Sequence, residues 1–339
     1  MKAVQVTKPG ELQIADVEIP KLEDSSHVLI RIKAAGICGS DISIYRGTSP
    51  VATYPRVIGH EFAGEVVQIG SDVSSVSMGD HVVVNPVMEC GTCPVCKRGR
   101  GNVCANLQVI GVHKDGGFRE YVSVPEQNVF RISSDISWEH AAIIEPYTVA
   151  AQVTSRGGVQ AGDTVLIMGC GQIALTILQV CKILGAECIM TDLVKSRRER
   201  AKAYGAKAVI DASSEDVCAK VRELTDGIGV DVAIDAACAG VTLKQAIQCV
   251  RSAGVVVTMG FADRPVEVSE LTITKNELDI RGSRLNNKKF PQVIEWVESG
   301  KLELGRIITD QMHFTKVLDG FEKIKNDPEN TLKIVLTFE

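Results

Sequence analysis

Two apolar patterns divide the chain into a first and a second part. Before about residue 154, short segments such as 28–33, 82–84 and 118–122 are apolar or alternate with polar residues, and glycine and proline interrupt the chain often. Such segments are typical of half-buried strands, which predicts a β-rich domain with long loops. From about residue 155, a continuous apolar segment at 164–168 and a second strand-like segment at 187–191 alternate with helical ones. This alternation predicts a doubly wound, buried parallel sheet.

The other periodic segments add elements at the junction and at the C-terminal end. A helical pattern begins at Ser137, whose hydroxyl suits an N-terminal cap. Further segments predict helices over 290–299 and near 317–326, and a final strand over 332–338.

A glycine-rich turn follows the apolar strand 164–168. Gly169, Gly171 and Ala174 form a G-x-G-x-x-A pattern between that strand and a long apolar helix. In this context the first glycine permits the turn and the second lets a pyrophosphate approach the backbone. The alanine keeps helix and strand close together. The pattern therefore predicts a dinucleotide site.

The choice between NAD and NADP depends on residues after the next strand. Asp192 lies where a carboxylate can accept hydrogen bonds from the ribose hydroxyls of NAD. Arg197 and the arginine after it suggest instead a partner for the 2′-phosphate of NADP. NAD is the favoured cofactor, because a carboxylate at Asp192 repels that phosphate.

Four of the eleven cysteines are closely spaced as C-x2-C-x2-C-x7-C: Cys90, Cys93, Cys96 and Cys104. Four thiolates at short spacing are typical of a closed, tetrahedral zinc site. The competing iron–sulfur pattern has its fourth cysteine after three residues and before a proline, so the spacing favours zinc. We therefore predict a structural zinc ion in this loop. The other six lie in apolar surroundings and are predicted to be core residues: Cys170, Cys181, Cys188, Cys218, Cys238 and Cys249.

A second candidate metal site combines different ligand types. Cys38 lies in Gly-Ile-Cys-Gly-Ser-Asp, and His60 and Glu61 lie in Gly-His-Glu-Phe-Ala-Gly. Cysteine, histidine and glutamate can form an open zinc site, in which water or substrate takes the remaining position. Taken alone, each would more often be an ordinary loop or buried residue. Two glycine-framed clusters in one chain favour metal.

From these motifs, the chain resembles the zinc-containing medium-chain alcohol dehydrogenases. The Gly-His-Glu-x-x-Gly segment, followed by Gly70 and Val73, is similar to the signature of that family. The Cys-Gly-Ser-Asp segment is similar to the polyol branch, and the chain as a whole resembles bacterial starvation-sensing-type and sugar-acid dehydrogenases. The resemblance implies an α/β protein with a β-rich GroES-like catalytic domain at residues 1–154. It also implies a NAD-binding Rossmann domain at 155–283 and a return segment, 284–339, that completes the catalytic domain.

The resemblance also implies roles for individual residues at the open site. Cys38, His60 and a carboxylate of Glu61 or Glu145 would hold a catalytic zinc ion, and which carboxylate binds stays open. Ser40 would receive the substrate proton as a hydroxyl relay. Ser43 stands where the family often has histidine, so the next acceptor also stays open between water, the cofactor ribose and Tyr45.

The expected activity is reversible oxidation of a secondary alcohol, in a polyol or sugar acid, with two zinc ions per chain and NAD. Polar residues after Cys38 favour such a polyhydroxy substrate: Ser40, Asp41, Ser43, Tyr45 and Arg46. One alternative is an NADPH-dependent carbonyl reductase. Another is a non-catalytic sensing or regulatory protein that keeps the fold, but the presence of Cys38, His60 and Glu145 argues against it.

Composition narrows the class of protein and its expected partners. The 339 residues are 45% hydrophobic and 23% charged, with a net charge of −5 at pH 7, which is ordinary for a two-domain globular protein. The basic residues are dispersed, so nucleic-acid binding is not expected. The apolar runs are too short for a membrane span, and the N-terminal segment does not have the pattern of a signal peptide. The expected location is the cytoplasm, where cysteines stay reduced. A homodimer or homotetramer is expected from the resemblance alone.

Overall fold

The computed structural model describes residues 1–261, 263 and 265–338. Contacts divide the chain into two compact units. The first unit comprises Met1–Pro146 and Asn287–Glu339, and the second unit comprises Tyr147–Asn286. Each unit has its own sheet and its own buried apolar cluster.

The strands, in chain order, are β1 (Lys2–Lys8), β2 (Glu11–Asp16), β3 (His27–Gly36), β4 (Arg56–Val57), β5 (Glu61–Ile69), β6 (His81–Val84), β7 (Val87–Met88), β8 (Gln108–Val109), β9 (Tyr121–Pro125), β10 (Val129–Arg131), β11 (Thr164–Met168), β12 (Glu187–Asp192), β13 (Ala208–Asp211), β14 (Val230–Asp235), β15 (Val250–Thr258), β16 (Asp279–Gly282), β17 (Ile308–His313) and β18 (Lys333–Thr337). The α-helices are α1 (Gly39–Tyr45), α2 (Pro94–Lys97), α3 (Trp138–Ala142), α4 (Ile144–Gly157), α5 (Gln172–Ile183), α6 (Lys195–Ala203), α7 (Val217–Leu224), α8 (Gly240–Cys249), α9 (Glu270–Asn276), α10 (Phe290–Glu298) and α11 (Val317–Asn326).

A seven-stranded sheet is the centre of the first unit. Its order is β10-β6-β5-β3-β18-β17, and β9 also pairs with β3. At its C-terminal end, β3 pairs antiparallel with β5 on one side and with β18 on the other. Gly36 therefore lies opposite Glu61 of β5 and opposite Val335 of β18. The last strand of the chain thus borders the strand that leads directly to Cys38.

The burial pattern of β3 explains why it occupies the middle of this sheet. Its first four residues are all buried, and from Ile30 to Ala34 buried and half-buried residues alternate. Val28, Ile30 and Ile32 are 0–1% exposed. Burying one such side chain contributes about 1.5–3 kcal/mol, so this face holds the sheet against the core of the unit.

The second unit is built on a six-stranded parallel sheet with the order β13-β12-β11-β14-β15-β16. The residues at 165–168 in β11 are 0% exposed, as expected for a strand covered on both faces. From β11 the next strands in the chain, β12 and β13, are added on one side of the sheet, and from β14 the next strands, β15 and β16, are added on the other side. The boundary between β11 and β14 is therefore the switch point of a doubly wound sheet. The fold class predicted from the sequence is confirmed in both units.

Two local predictions differ from the structure in informative ways. A strand was expected over 118–122, but β9 begins at Tyr121, because Phe118 instead bonds through its backbone to Val4 and Ile58. The helical pattern after Ser137 is two helices that meet at Ile143. The predicted cap is present, since the Ser137 hydroxyl accepts a hydrogen bond from the backbone of His140 at 3.4 Å.

In the part of the chain that the structure describes, no helix combines the length and the apolarity needed to cross a membrane.

Gly59 gives a test of how tightly the turn before β5 is packed. Its φ is +95°, and an added Cβ would lie 2.2 Å from Cδ1 of the fully buried Phe118. We expect Gly59→Ala to destabilise the protein by about 2–5 kcal/mol, from left-handed backbone strain and overpacking together. Gly79→Ala is the matched control, because Gly79 has φ +88° but no atom within 4 Å of an added Cβ. Denaturant unfolding of both variants measures the difference, and equal losses would contradict this account.

Candidate functional site

Three ligand-type side chains meet where β3 and β5 pair. The Sγ atom of Cys38, a ring nitrogen of His60 and a carboxylate oxygen of Glu61 all lie within 4.8 Å of one another. Cys38 follows β3 and caps α1, and His60 precedes Glu61 at the start of β5. The pairing of Gly36 with Glu61 brings these two sequence motifs together. A side chain at Gly36 would collide with Glu61, because an added Cβ would lie 2.2 Å from its Oε2.

Lys333 is a site residue that the sequence analysis missed. It lies in β18, is 0% exposed, and donates hydrogen bonds from Nζ to both carboxylate oxygens of Glu61, at 2.9 and 2.7 Å. A third bond, at 2.9 Å, goes to the backbone oxygen of Ile37, the residue before Cys38. Burial lowers the pKa of Lys333, but the acidic groups around it, Glu61 foremost with Cys38 and Glu145, together raise that pKa above its ordinary value. The available signal was a single lysine within the apolar segment 332–338.

Asp41 is the second such residue, since the sequence suggested only a polar contact with substrate. Its carboxylate is 0% exposed and accepts hydrogen bonds from the backbone of Cys38 at 2.8 Å and of Gly59 at 3.2 Å. Oδ1 of Asp41 also lies 3.6 Å from Nδ1 of His60. Burial lowers the pKa of His60, but Asp41 and Cys38 together outweigh burial and raise that pKa well above its ordinary value. Asp41 therefore joins the two motif segments and orients the imidazole.

Glu145 borders the three-residue group. It lies in the first turn of α4 and is 5% exposed. Burial raises the pKa of Glu145 to about 7, against the effect of His60, and the carboxylate of Glu61 raises it further. Among the described residues, the group within 4.8 Å contains Glu61 and not Glu145. Helix α3 ends at Ala142 and α4 begins at Ile144, so Glu145 is the second residue of the new helix.

The donor types at this site fit a zinc ion. Thiolate, imidazole and carboxylate are the ligands of open zinc sites, and a carboxylate commonly faces the second ring nitrogen of a ligating histidine. Asp41 supplies that carboxylate, 3.6 Å from Nδ1 of His60, and within the described part of the chain this nitrogen has no partner at hydrogen-bonding distance.

The hydroxyl groups near the site differ in their surroundings. Ser40 is exposed, and its Oγ lies 3.4 Å from Nε2 of His60. Ser43 donates its hydroxyl proton to the backbone oxygen of Gly39 at 3.1 Å, within α1. The ring of Tyr45 packs against Phe321, with 5.6 Å between centroids. Ser40 is therefore the hydroxyl beside the ligand group, whereas Ser43 is bonded within its own helix.

The four closely spaced cysteines also come together. Their Sγ atoms all lie within 4.8 Å of one another, with separations of 3.4 Å for Cys93–Cys96, 3.9 Å for Cys93–Cys104 and 3.4 Å for Cys90–Cys104. Zinc–sulfur bonds of about 2.3 Å place the sulfurs of a tetrahedron about 3.8 Å apart, so this loop fits a closed zinc site. Hydrogen bonds from Thr92 lower the pKa of Cys90 to about 6, which favours its thiolate form.

In the second unit, the predicted dinucleotide turn joins β11 to α5. Gly169 has φ +96°, and Gly171 caps α5 with no atom within 4 Å of an added Cβ. Ala174 is 2% exposed, inside the helix. The carboxylate of Asp192, at the end of β12, accepts hydrogen bonds from the backbone of Cys170 at 2.8 Å and Val194 at 2.9 Å. Two backbone donors thus fix the orientation of Asp192 beside the turn.

The two arginines of α6 are placed differently. Arg198 donates to the backbone oxygen of Asp192 at 2.9 Å and pairs with Asp211 at 2.5 Å. Its guanidinium therefore fastens α6 to the ends of two strands, which argues against a role in binding a 2′-phosphate. Arg197 lies in the first turn of α6 and is half-buried.

Known families account for both units. Residues 24–134 match the family described as alcohol dehydrogenase GroES-like domain, and residues 173–299 match the family described as zinc-binding dehydrogenase. The starvation-sensing protein RspB of Escherichia coli K12 is 42% identical over 100% of this chain and 99% of its own. The chain belongs to the zinc-type medium-chain alcohol dehydrogenase family.

Other relatives carry names that specify a substrate or a cofactor. L-galactonate-5-dehydrogenase of E. coli K12 is 33% identical over 100% of this chain and 99% of its own. Sorbitol dehydrogenase of Bacillus subtilis is 33% identical over 99% of this chain and 97% of its own. Among solved structures, RspB of E. coli CFT073, complexed with NADH, has a TM-score of 0.95 at 42% identity and covers 100% and 99% of the two chains. A zinc-binding dehydrogenase of Sinorhizobium meliloti, bound to NADP, has a TM-score of 0.91 at 32% identity, and the match covers 99% of this chain and 98% of that one.

We expect two zinc ions per chain of this family member. Cys93→Ser should remove one ion and lower the melting temperature markedly, because a closed structural site contributes folding free energy. Cys38→Ser should weaken binding of the other ion with a smaller change in melting temperature. Elemental analysis and calorimetry on both variants test this. Iron in place of zinc, or equal melting losses in the two variants, would contradict it.

Lys333 is expected to be essential for the stability of the first unit. In the zinc-free protein, Lys333→Met leaves Glu61 buried without a cation, which should cost about 3–5 kcal/mol in the free energy of unfolding. The double variant Lys333→Met/Glu61→Gln should recover much of that loss, because neither charge is then left alone. Denaturant unfolding of the two single variants and the double variant measures the coupling. Additive effects would show that the pair does not act as a unit.

Proposed function

We propose that the protein is a zinc-dependent, NAD-linked dehydrogenase that oxidises a secondary alcohol to a ketone, reversibly. The observation that carries the proposal is the group formed by half-buried Cys38 with buried His60 and Glu61, bordered by Glu145, in a chain of this family. A separate dinucleotide turn with Asp192 fixed beside it supports the nicotinamide cofactor.

Under this proposal, Cys38, His60 and a carboxylate hold the catalytic zinc ion, and the four-cysteine loop holds a structural one. When bound, the catalytic ion supplies a Lewis acid that favours loss of the substrate's hydroxyl proton. We assign Glu61 as the resting carboxylate ligand, because its oxygen belongs to the group within 4.8 Å. Lys333 fixes that carboxylate by donating to both oxygens, and each oxygen keeps a further lone pair.

The protein's own residues then position the substrate and move its proton. Ser40, exposed and next to His60, accepts the hydroxyl proton at Oγ and passes its own proton towards solvent. NAD, when bound, would supply the acceptor for the hydrogen of the alcohol carbon and its electron pair, which accounts for the ketone product. Asp41 keeps the imidazole of His60 in place during this exchange. Asp41 itself does not contact substrate in this scheme, because it is fully buried and already hydrogen-bonded.

The substrate class that we propose is a polyol or a sugar acid. Support comes from the polar groups of Ser40 and Glu145 around the metal ligands, and from relatives named for L-galactonate and sorbitol. A site built to hydrogen-bond hydroxyl groups rejects analogues that lack them, because its buried polar groups are left unpaired.

The test is a kinetic screen that follows NADH absorbance. Hexonates, pentitols, threonine and short alcohols are compared at saturating NAD with the zinc-loaded protein, and Cys38→Ser serves as the inactive control. We expect a polyol or sugar acid to give the highest kcat/KM. Faster turnover of ethanol than of every polyhydroxy compound would overturn the substrate class. Activity that is unchanged in Cys38→Ser would overturn the mechanism.

An NADPH-dependent carbonyl reductase is the second candidate, because one solved relative is bound to NADP. Asp192 distinguishes the two cofactors. Asp192→Ala should lower kcat/KM with NAD at least about tenfold, since it removes a hydrogen-bonding carboxylate, and should raise the relative rate with NADP. Glu199→Ala, an exposed residue of α6, is the control. Higher catalytic efficiency of the unmodified protein with NADP than with NAD would favour the reductase.

A further inference from the structure

Two thiols lie in contact in the second unit, at a place that the proposed reaction does not use. Sγ of Cys218 is 3.1 Å from Sγ of Cys249, and neither is in a disulfide. Cys218 is the second residue of α7, and Cys249 is the last residue of α8. The sequence analysis placed both in the core, but Cys218 is half-buried.

The surroundings of the two sulfurs differ in a way that suits stepwise oxidation. Cys249 is 1% exposed, whereas Cys218 reaches the surface beside the side chain of Gln248, whose Oε1 lies 3.7 Å from its sulfur. The hydrogen bond from Cys249 lowers the pKa of the Cys218 thiol, and the same contact, with burial, raises the pKa of Cys249. The accessible sulfur is thus the more readily ionised one, which is the arrangement of an attacking thiolate with a resolving thiol behind it.

We propose that Cys218 and Cys249 form an oxidisable dithiol that reacts with hydroperoxides and closes to a disulfide. The Cys218 thiolate attacks the terminal peroxide oxygen, which forms an S–O bond and breaks the O–O bond. With hydrogen peroxide, the hydroxide that leaves takes up a proton as water, and Cys218 becomes a sulfenic acid. The Cys249 sulfur then attacks that sulfur and displaces a second water, while its thiol proton goes to the leaving hydroxyl. Each peroxide is reduced by two electrons, and one dithiol is oxidised to a disulfide.

The geometry requires only a small movement. The sulfur atoms need to approach from 3.1 Å to about 2.05 Å, the length of a disulfide bond. The new bond would join the start of α7 to the end of α8 and close a loop over residues 218–249, which contains β14. Such a cross-link stabilises a fold chiefly by restricting its unfolded state, so the oxidised protein should melt at a higher temperature.

Cys181 and Cys188 provide a comparison within the same unit. Their thiols are also hydrogen-bonded to each other, but the two residues are 0% and 2% exposed. A peroxide cannot reach either sulfur without local unfolding, so this pair should stay reduced under conditions that oxidise Cys218 and Cys249.

The experiment uses the zinc-loaded full chain, treated with hydrogen peroxide near one equivalent and then alkylated under denaturing conditions. Peptide mass analysis should find a disulfide-linked peptide pair containing Cys218 and Cys249, which dithiothreitol reverses. Cys181 and Cys188 should be recovered as alkylated residues, which shows that their thiols stayed reduced during the peroxide treatment. A chromophoric chelator records zinc release, which separates this reaction from oxidation of the four-cysteine loop.

Two variants make the result decisive. Cys249→Ser should stop at a sulfenic acid on Cys218 that dimedone traps, because the resolving thiol is missing. Cys218→Ser should lose both the disulfide and the peroxide-dependent rise in melting temperature. Zinc release without any Cys218–Cys249 disulfide would overturn the proposal. Equal oxidation of the buried Cys181–Cys188 pair, or absence of dimedone labelling in Cys249→Ser, would overturn it as well.

Discussion

The ion pair between Lys333 and Glu61 is the constraint on which the site depends. Both side chains are buried, and three carboxylates, those of Asp41, Glu61 and Glu145, lie in the same region. An unpaired buried charge costs several kcal/mol, so a chain that ended before β18 would leave Glu61 without its cation. The ion pair between Lys333 and Glu61 therefore adds an electrostatic contribution to the backbone hydrogen bonds that hold β18 beside β3. The ammonium group of Lys333 also bonds to Ile37, which fixes the backbone just before Cys38.

Register and small residues then bring the ligands close together. Gly36 lies between β5 and β18 in the sheet, and the absence of a side chain there leaves space for the Glu61 carboxylate. Asp41 connects the Cys38 and Gly59 backbones by accepting a hydrogen bond from each. These contacts are all within one unit, on a sheet whose central strand is buried along most of its length. A site held by paired strands and buried hydrogen bonds keeps its geometry better than one on free loops.

The sequence was sufficient wherever the signal was local. The β11 strand and α11 helix have the bounds that the pattern predicted, and the spacing of the four cysteines was enough to predict their convergence. It was insufficient where a role depends on distant pairing. Lys333 is separated from Glu61 by most of the chain, and the buried role of Asp41 depends on where Gly59 lies in space. Likewise, the apolar surroundings of Cys218 and Cys249 predicted two core residues but not their contact, because that contact requires the packing of α7 against α8.

The central claim is that one chain holds an open, mixed-ligand zinc site and a closed, four-sulfur one. Zinc K-edge X-ray absorption on the zinc-loaded protein tests it most directly, because sulfur and nitrogen or oxygen ligands scatter differently. The account predicts two zinc ions that share five cysteine sulfurs, which is an average of about 2.5 sulfurs per zinc with nitrogen or oxygen making up the remainder. An average of four sulfurs per zinc would mean that Cys38, His60 and Glu61 bind no zinc, and would contradict the account.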